Sequence, residues 1–253
     1  MPLLMLGKDL AIGFWRSSWY VVPVIFLALA LIDLYFALNY RVYALLEKED
    51  WPALIRELEQ KVLQKNRYNS RLVKLLISSY LVLSDIKSVT ELEKKLAIAR
   101  KSLLDENALS FAAARILGKD YQGAAEFLAP KCPEGAKFKS GSSEWLYWYY
   151  GFSLLLARRF NEAADVFIPL AREGRYGIPS GLSAYFLSDN LSAFLPLRSE
   201  KLQEEAKSAR GRVKRSLRRR SDWDRELKRL DTEVYAAVLK TYTGKAADYL
   251  YRE

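Results

Sequence analysis

Apolar residues recur at three- and four-residue spacing along most of the chain, and no stretch sustains the alternation of a strand, so the expected class is all-α. Asp50-Trp51-Pro52 places a capping side chain and a proline at a helix start, after which Leu54, Ile55, Leu58, Val62 and Leu63 line one side. Ser70 caps the next helix, with Val73, Leu76, Ile77, Tyr80, Leu81 and Leu83 on a broad face, and Thr90 to Leu103 is its return partner. Asn107 to Leu117 and Tyr121 to Leu128 follow, separated by the tight Gly118-Lys119-Asp120 break. Cys132 to Ser142 has no period and reads as a loop. Glu144 to Arg158 and Asn161 to Arg172 form the clearest pair, with Pro169 expected to end or kink the second.

The N-terminal part has a different pattern. From Ser17 to Ile32 there is no charge, and the apolar run continues past Asp33 to Tyr40. A bilayer core needs about 20 helical residues. Twelve Leu, Ile, Phe or Val residues stand between Val21 and Leu38. Together they contribute about −5 kcal/mol to insertion, against about +3 for a central Asp, so insertion is favoured. Trp19, Tyr20, Tyr35 and Tyr40 sit where interfacial aromatics lie. A cleaved leader and a buried core helix are the competing readings, and the leader fits less well because the run continues past Ala28-Leu29-Ala30. Asp33 either snorkels to the interface or pairs with a partner's membrane helix. Flanking Lys and Arg do not settle orientation, and an extracytoplasmic C-terminal bulk is the adopted expectation.

Composition narrows the chemistry. The chain of 253 residues contains no histidine, which removes the commonest general base and metal ligand, and one cysteine, which excludes an internal disulfide. A buried thiol is the reading for Cys132. No phosphate loop, paired-carboxylate or metal-ligand pattern stands out, so neither enzyme activity, a cofactor nor a small-molecule substrate is expected. Gly135, Gly141, Gly174, Gly177 and Gly181 read as loop glycines.

Helix pairs at this spacing cannot each bury an apolar face alone and are expected to stack. In Trp145-Leu146-Tyr147-Trp148-Tyr149-Tyr150-Gly151, Phe160, Ala163 and Phe167, the chain resembles the tetratricopeptide family. Gly151 matches the small residue of the unit's first helix, Phe160 the aromatic at the turn, Ala163 the small residue of the second helix and Phe167 its large apolar position. Ala112, Tyr121, Ala124 and Leu128 repeat part of this at the same spacing, and the match fades toward the N-terminus. Asp50-Trp51 resembles a unit's turn, which would run the membrane helix on into the first helix of a degenerate unit. The resemblance implies a stack of antiparallel helix pairs that binds other proteins.

Six of nine residues from Glu144 to Phe152 are aromatic, more than one stripe can bury. Tyr147, Tyr150, Gly151 and Leu154 match the family's internal packing positions. Trp145, Trp148 and Phe152 then point elsewhere, and either grip a partner as aromatic anchors or lie under a later helix of this chain.

Charge is concentrated in one place. The chain's net charge is +10, and residues 201 to 229 hold twelve Lys or Arg against five Asp or Glu. From Ala206 to Arg220 eight of fifteen residues are basic and none acidic, over a thin seam of Leu202, Ala206, Ala209, Val213 and Leu217. This reads as one long exposed helix over 199–242. Arg212, Arg215, Arg218, Arg219 and Arg220 are the candidate contacts for an acidic partner, with lipid headgroups, nucleic acid and a merely solvated face as alternatives. Nucleic acid is disfavoured, since no recognition motif accompanies the charge.

The resulting expectation is a tail at 1–18, a transmembrane helix at 19–40, tetratricopeptide-like repeats at 41–175, and C-terminal helices at 176–253 including the basic helix. Such a chain would be an inner-membrane, single-pass scaffold for assembly of an envelope complex, with its C-terminal bulk periplasmic. The layout is similar to the membrane-anchored tetratricopeptide subunits of the periplasmic collar around spirochaetal flagellar motors. The alternative is a module that binds nucleic acid or anionic lipid through residues 206–220.

Overall fold

A computed structural model of the chain describes residues 20–64, 69–133, 135, 138, 141–175, 177–230, 233 and 235–252. The expected tail at 1–18 and Trp19 lie outside these residues. The described elements are helical, with no strand among them. The α-helices of six residues or more are α1 (Val21–Glu47), α2 (Trp51–Glu59), α3 (Ser70–Val82), α4 (Ile86–Ala99), α5 (Lys101–Glu106), α6 (Ala108–Leu117), α7 (Tyr121–Leu128), α8 (Gly141–Leu156), α9 (Phe160–Glu173), α10 (Gly177–Tyr185), α11 (Ser199–Ser216), α12 (Arg220–Lys228) and α13 (Ala236–Tyr251). A π turn, Phe186–Leu191, extends α10. The chain divides between Gln60 and Lys61 into two compact units.

In the first unit α1 is a single run of 27 residues whose axis bends by 58° at position 38. No proline stands there. The side-chain amide of Asn39 instead donates to the carbonyl of Tyr35 at 2.8 Å, competing with the helical ladder where the axis turns. α2 packs back on α1.

One turn recurs through the chain. Glu49, Ser84, Lys119 and Arg158 have φ of 53°, 58°, 62° and 61°, and these positions are 35, 35 and 39 residues apart. At each, the next residue enters a new helix with nearly the same backbone angles, from φ −79°, ψ 74° at Asp50 to φ −87°, ψ 63° at Arg159. Its amide reaches back five residues, as in Asp85 to Tyr80 (2.9 Å) and Asp120 to Arg115 (2.9 Å). Three of the four following residues are aspartates, whose carboxylates accept the amides of Ala53 (3.1 Å), Ser88 (3.1 Å) and Gly123 (3.0 Å) as N-caps. A left-handed residue closes one helix and a capped one opens the next, which produces a tight helix hairpin.

The second unit stacks these hairpins. α3 packs on α4 and α6, α6 on α7, α7 on α8, α8 on α9, α9 on α10 and α10 on α11. Gly151 and Phe167 mark the closest crossing in the α8/α9 pair: a Cβ on the glycine would stand 2.8 Å from the ring. α9 runs through Pro169 to Glu173 without the expected early end, held by Ala163, Ala164, Phe167 and Leu170 in the core. One core joins residues from Ala112 to Leu250, so the expected boundary at 175/176 runs through continuous packing.

The basic segment is not one helix over 199–242. α11 stops at Ser216, Leu217 leaves helical geometry (φ −111°, ψ 87°), and α12 and α13 follow as separate helices. The cause is tertiary. Leu217 turns inward onto Gly177, where a Cβ would stand 2.5 Å from its Cδ1, and its carbonyl accepts the hydroxyl of Tyr251 at 2.8 Å. Beyond the break Trp223 is fully buried over Gly181, which is a packing glycine within α10 and not a loop residue.

Candidate functional site

α8 presents its aromatics in two directions, and both are covered. Trp148 and Phe152, with 0% and 1% of their surface exposed, stack at 5.0 Å against each other and meet Phe186 at 6.0 and 5.6 Å. Tyr242 of α13 closes on Phe152 at 5.2 Å, and Trp145, also buried, lies 5.8 Å from Tyr235. The Tyr149 hydroxyl donates to the Tyr235 carbonyl. Trp145, Trp148 and Phe152 are therefore core residues and not a partner-gripping face. The chain's own α10 extension and C-terminal segment cover them.

Tyr147 and Tyr150, expected inside, are only half-buried. They border a cleft of about 470 Å³ with Cys132, Phe138, Leu154 and Pro169, and Tyr147 donates to the Pro133 carbonyl at 2.8 Å. Two of the rim carboxylates have partners: Glu162 pairs with Arg159 and Asp165 with Arg198. Burial pushes the Cys132 thiol up to about 12, so it is protonated and inert at neutral pH.

The basic residues separate into two sets. Arg212, half-buried, donates to the carbonyls of Ala171 and Arg172 and so caps the C-terminal end of α9. Arg210, which sequence reasoning did not single out, does the same for α13, donating to Leu250 O at 2.9 Å and to Arg252 O. Arg220 pairs with Asp248 at 2.6 Å. Arg215, Arg218 and Arg219 are exposed, and no side chain among the described residues pairs with their guanidiniums. Arg225 on α12 and Arg229 just past its end pair with Asp222 and Glu226 one turn away. Among the described residues no group of three acidic or thiol side chains could hold a metal ion.

Of the expected membrane residues, Asp33 and Tyr40 lie on α1 and Tyr20 just before it. Tyr20 and Tyr40 are 56% and 71% exposed, and Asp33 is exposed among Val24, Ile25, Phe26, Leu27, Leu29, Leu31, Ile32, Leu34 and Phe36, each at least half exposed. No single helix among the described residues is long and apolar enough to cross a membrane. Val21–Ala37 and Asn39–Glu47 reach the length and composition together, as a bent pair.

Fold and surfaces define an all-α protein of successive helix hairpins, closed by C-terminal helices. Residues 88–252 match a family model described as "Uncharacterised Treponema protein", and the chain belongs to that Treponema family. A Treponema pallidum protein described as "Uncharacterized protein" is 31% identical over 180 residues, which is 70% of this chain and 56% of that one. The chain thus spans little more than half the length of that relative. No solved structure matches.

Proposed function

We propose that the chain is a membrane-anchored, tetratricopeptide-like scaffold that brings other proteins together in an envelope complex, with α1 across the inner membrane and the hairpin stack in the periplasm. The observation that carries the reading is the recurring turn at Glu49, Ser84, Lys119 and Arg158. A turn repeated at nearly constant spacing supports a stack of like units, and such stacks work by offering extended surface to partners. The exposed apolar face of α1 supports the anchor: a stretch from Val24 to Phe36 left open to water is an aggregation liability, whereas in lipid the same surface is solvated. The particular complex proposed is the flagellar motor collar, a reading that the chain's membership of a Treponema family supports only through its genus.

The nucleic-acid reading loses ground because Arg210, Arg212 and Arg220 are engaged within the fold. Proximity labelling from the C-terminal unit in native membranes tests the proposal. Enrichment of periplasmic envelope-complex proteins is the expected result. Labelling confined to cytosolic proteins would overturn both sidedness and role.

A further inference from the structure

A pocket of about 350 Å³ opens where α9 ends, α10 begins and α11 ends. Arg172, Arg175 and Arg212 line it together with Ser180 and Ser216. The three guanidiniums are not equivalent. Arg172 is held by Glu205, and Arg212 keeps two of its donors on the α9 carbonyls. Arg175 engages only its backbone amide, which donates to Glu144 at 2.7 Å, and among the described residues nothing pairs with its guanidinium. Burial together with the neighbouring Arg215 holds Arg212 below the usual arginine range, so positive charge here is crowded and partly dehydrated. Glu144, wholly buried behind Gly174, offsets part of it, and Glu173 is the one carboxylate lining the pocket among the described residues. α10, nine residues long, starts at Gly177 on the same wall and adds the positive end of its dipole, while the C-terminal ends of α9 and α11 reach the same place with the opposite sign, that of α9 capped by Arg212.

We propose that this pocket binds the phosphate group of an anionic ligand, with Arg175 as the principal contact and Arg212 and Ser216 completing the cradle. One guanidinium fork satisfies a carboxylate, whereas the unpaired fork of Arg175, the N–H groups that Arg212 does not spend on α9 and the Ser216 hydroxyl together match a group with three acceptor oxygens and up to two charges. A soluble phosphate monoester and the headgroup of phosphatidic acid share this chemistry. The size falls at the lower end of small-ligand pockets, so a single headgroup or ester fits better than an extended polymer.

The experiment titrates the full chain, in an uncharged detergent, with glycerol phosphate and separately with short-chain phosphatidic acid, following the phosphorus NMR shift. Saturable binding of either probe is expected, and which one binds identifies the source. Arg175→Gln alters an exposed side chain and is expected to weaken binding about tenfold, the loss of one charge-assisted contact. Lys228→Gln removes the same charge from α12, outside the pocket, and is expected to leave affinity unchanged. Absence of saturable binding to either probe, or equal weakening by both substitutions, would overturn the proposal, the second by showing a diffuse basic surface.

Discussion

Trp148 and Phe152 stack at 5.0 Å with their planes 18° apart, and neither reaches solvent. The pair is one turn apart on α8, and what seals it is remote in sequence: Phe186 and, on Phe152, Tyr242. Trp148→Ala is therefore expected to lower stability by about 3 to 5 kcal/mol, the cost of a large cavity in a dry core. Chemical denaturation checks this. A variant that folds normally but loses partner capture would instead restore Trp148 as a surface anchor.

Lys119 holds a left-handed backbone, φ 62°, at a position where glycine carries no steric penalty. Its side chain is exposed, so little packing is lost on removing it. Lys119→Gly is expected to raise stability by about 1 kcal/mol, and Lys119→Val to lower it by a similar amount. Thermal melts of the two variants should move in opposite directions.

Arg212 and Arg215 are one turn apart in sequence and do different work. Arg212 closes the end of α9 through two backbone carbonyls; Arg215 stands free in solvent. Arg212→Met is expected to cost about 1.5 to 3 kcal/mol, as for hydrogen bonds from a charged donor. Arg215→Gln should stay within about 0.5 kcal/mol of the parent. Equal effects in denaturation would remove the distinction.

Alkaline pH should weaken the fold through buried acids. Burial raises Cys132 from 9.0 to about 12, and Tyr185 and Tyr235 from 10.0 to about 12. The folded chain keeps these protons where the unfolded chain releases them, so stability is intact below pH 9 and falls as pH rises from 9 toward 12. Melting temperature should drop across that window, and the drop should be shallower in Cys132→Ala. A flat profile would contradict the assignment.

Much of the fold was legible because helix hairpins are local. Asp50-Trp51-Pro52 and Gly118-Lys119-Asp120 announce their turns through capping chemistry, and Gly151 with Phe167 announces a close crossing. The 35-residue recurrence was also there to be read, in Asp50, Asp85 and Asp120, but it concerns one polar residue per unit, and the apolar pattern masks it. Contacts across the sequence were not legible. Leu217 continues the seam of Leu202, Ala206, Ala209 and Val213 in perfect helical register, and only Gly177 and Tyr251 pull it out. The same limit misplaced Trp145, Trp148 and Phe152: periodicity separates two faces of a helix and cannot say that both are covered. Arg175, the candidate phosphate contact, follows a helix end and carries no motif.

The account rests on α1, and extraction of native membranes with alkaline carbonate tests it most directly. A helix carrying Val24 to Phe36 in lipid should keep the chain in the membrane pellet. Its release into the supernatant would mean that this apolar surface is covered by protein, and the anchored scaffold would be wrong.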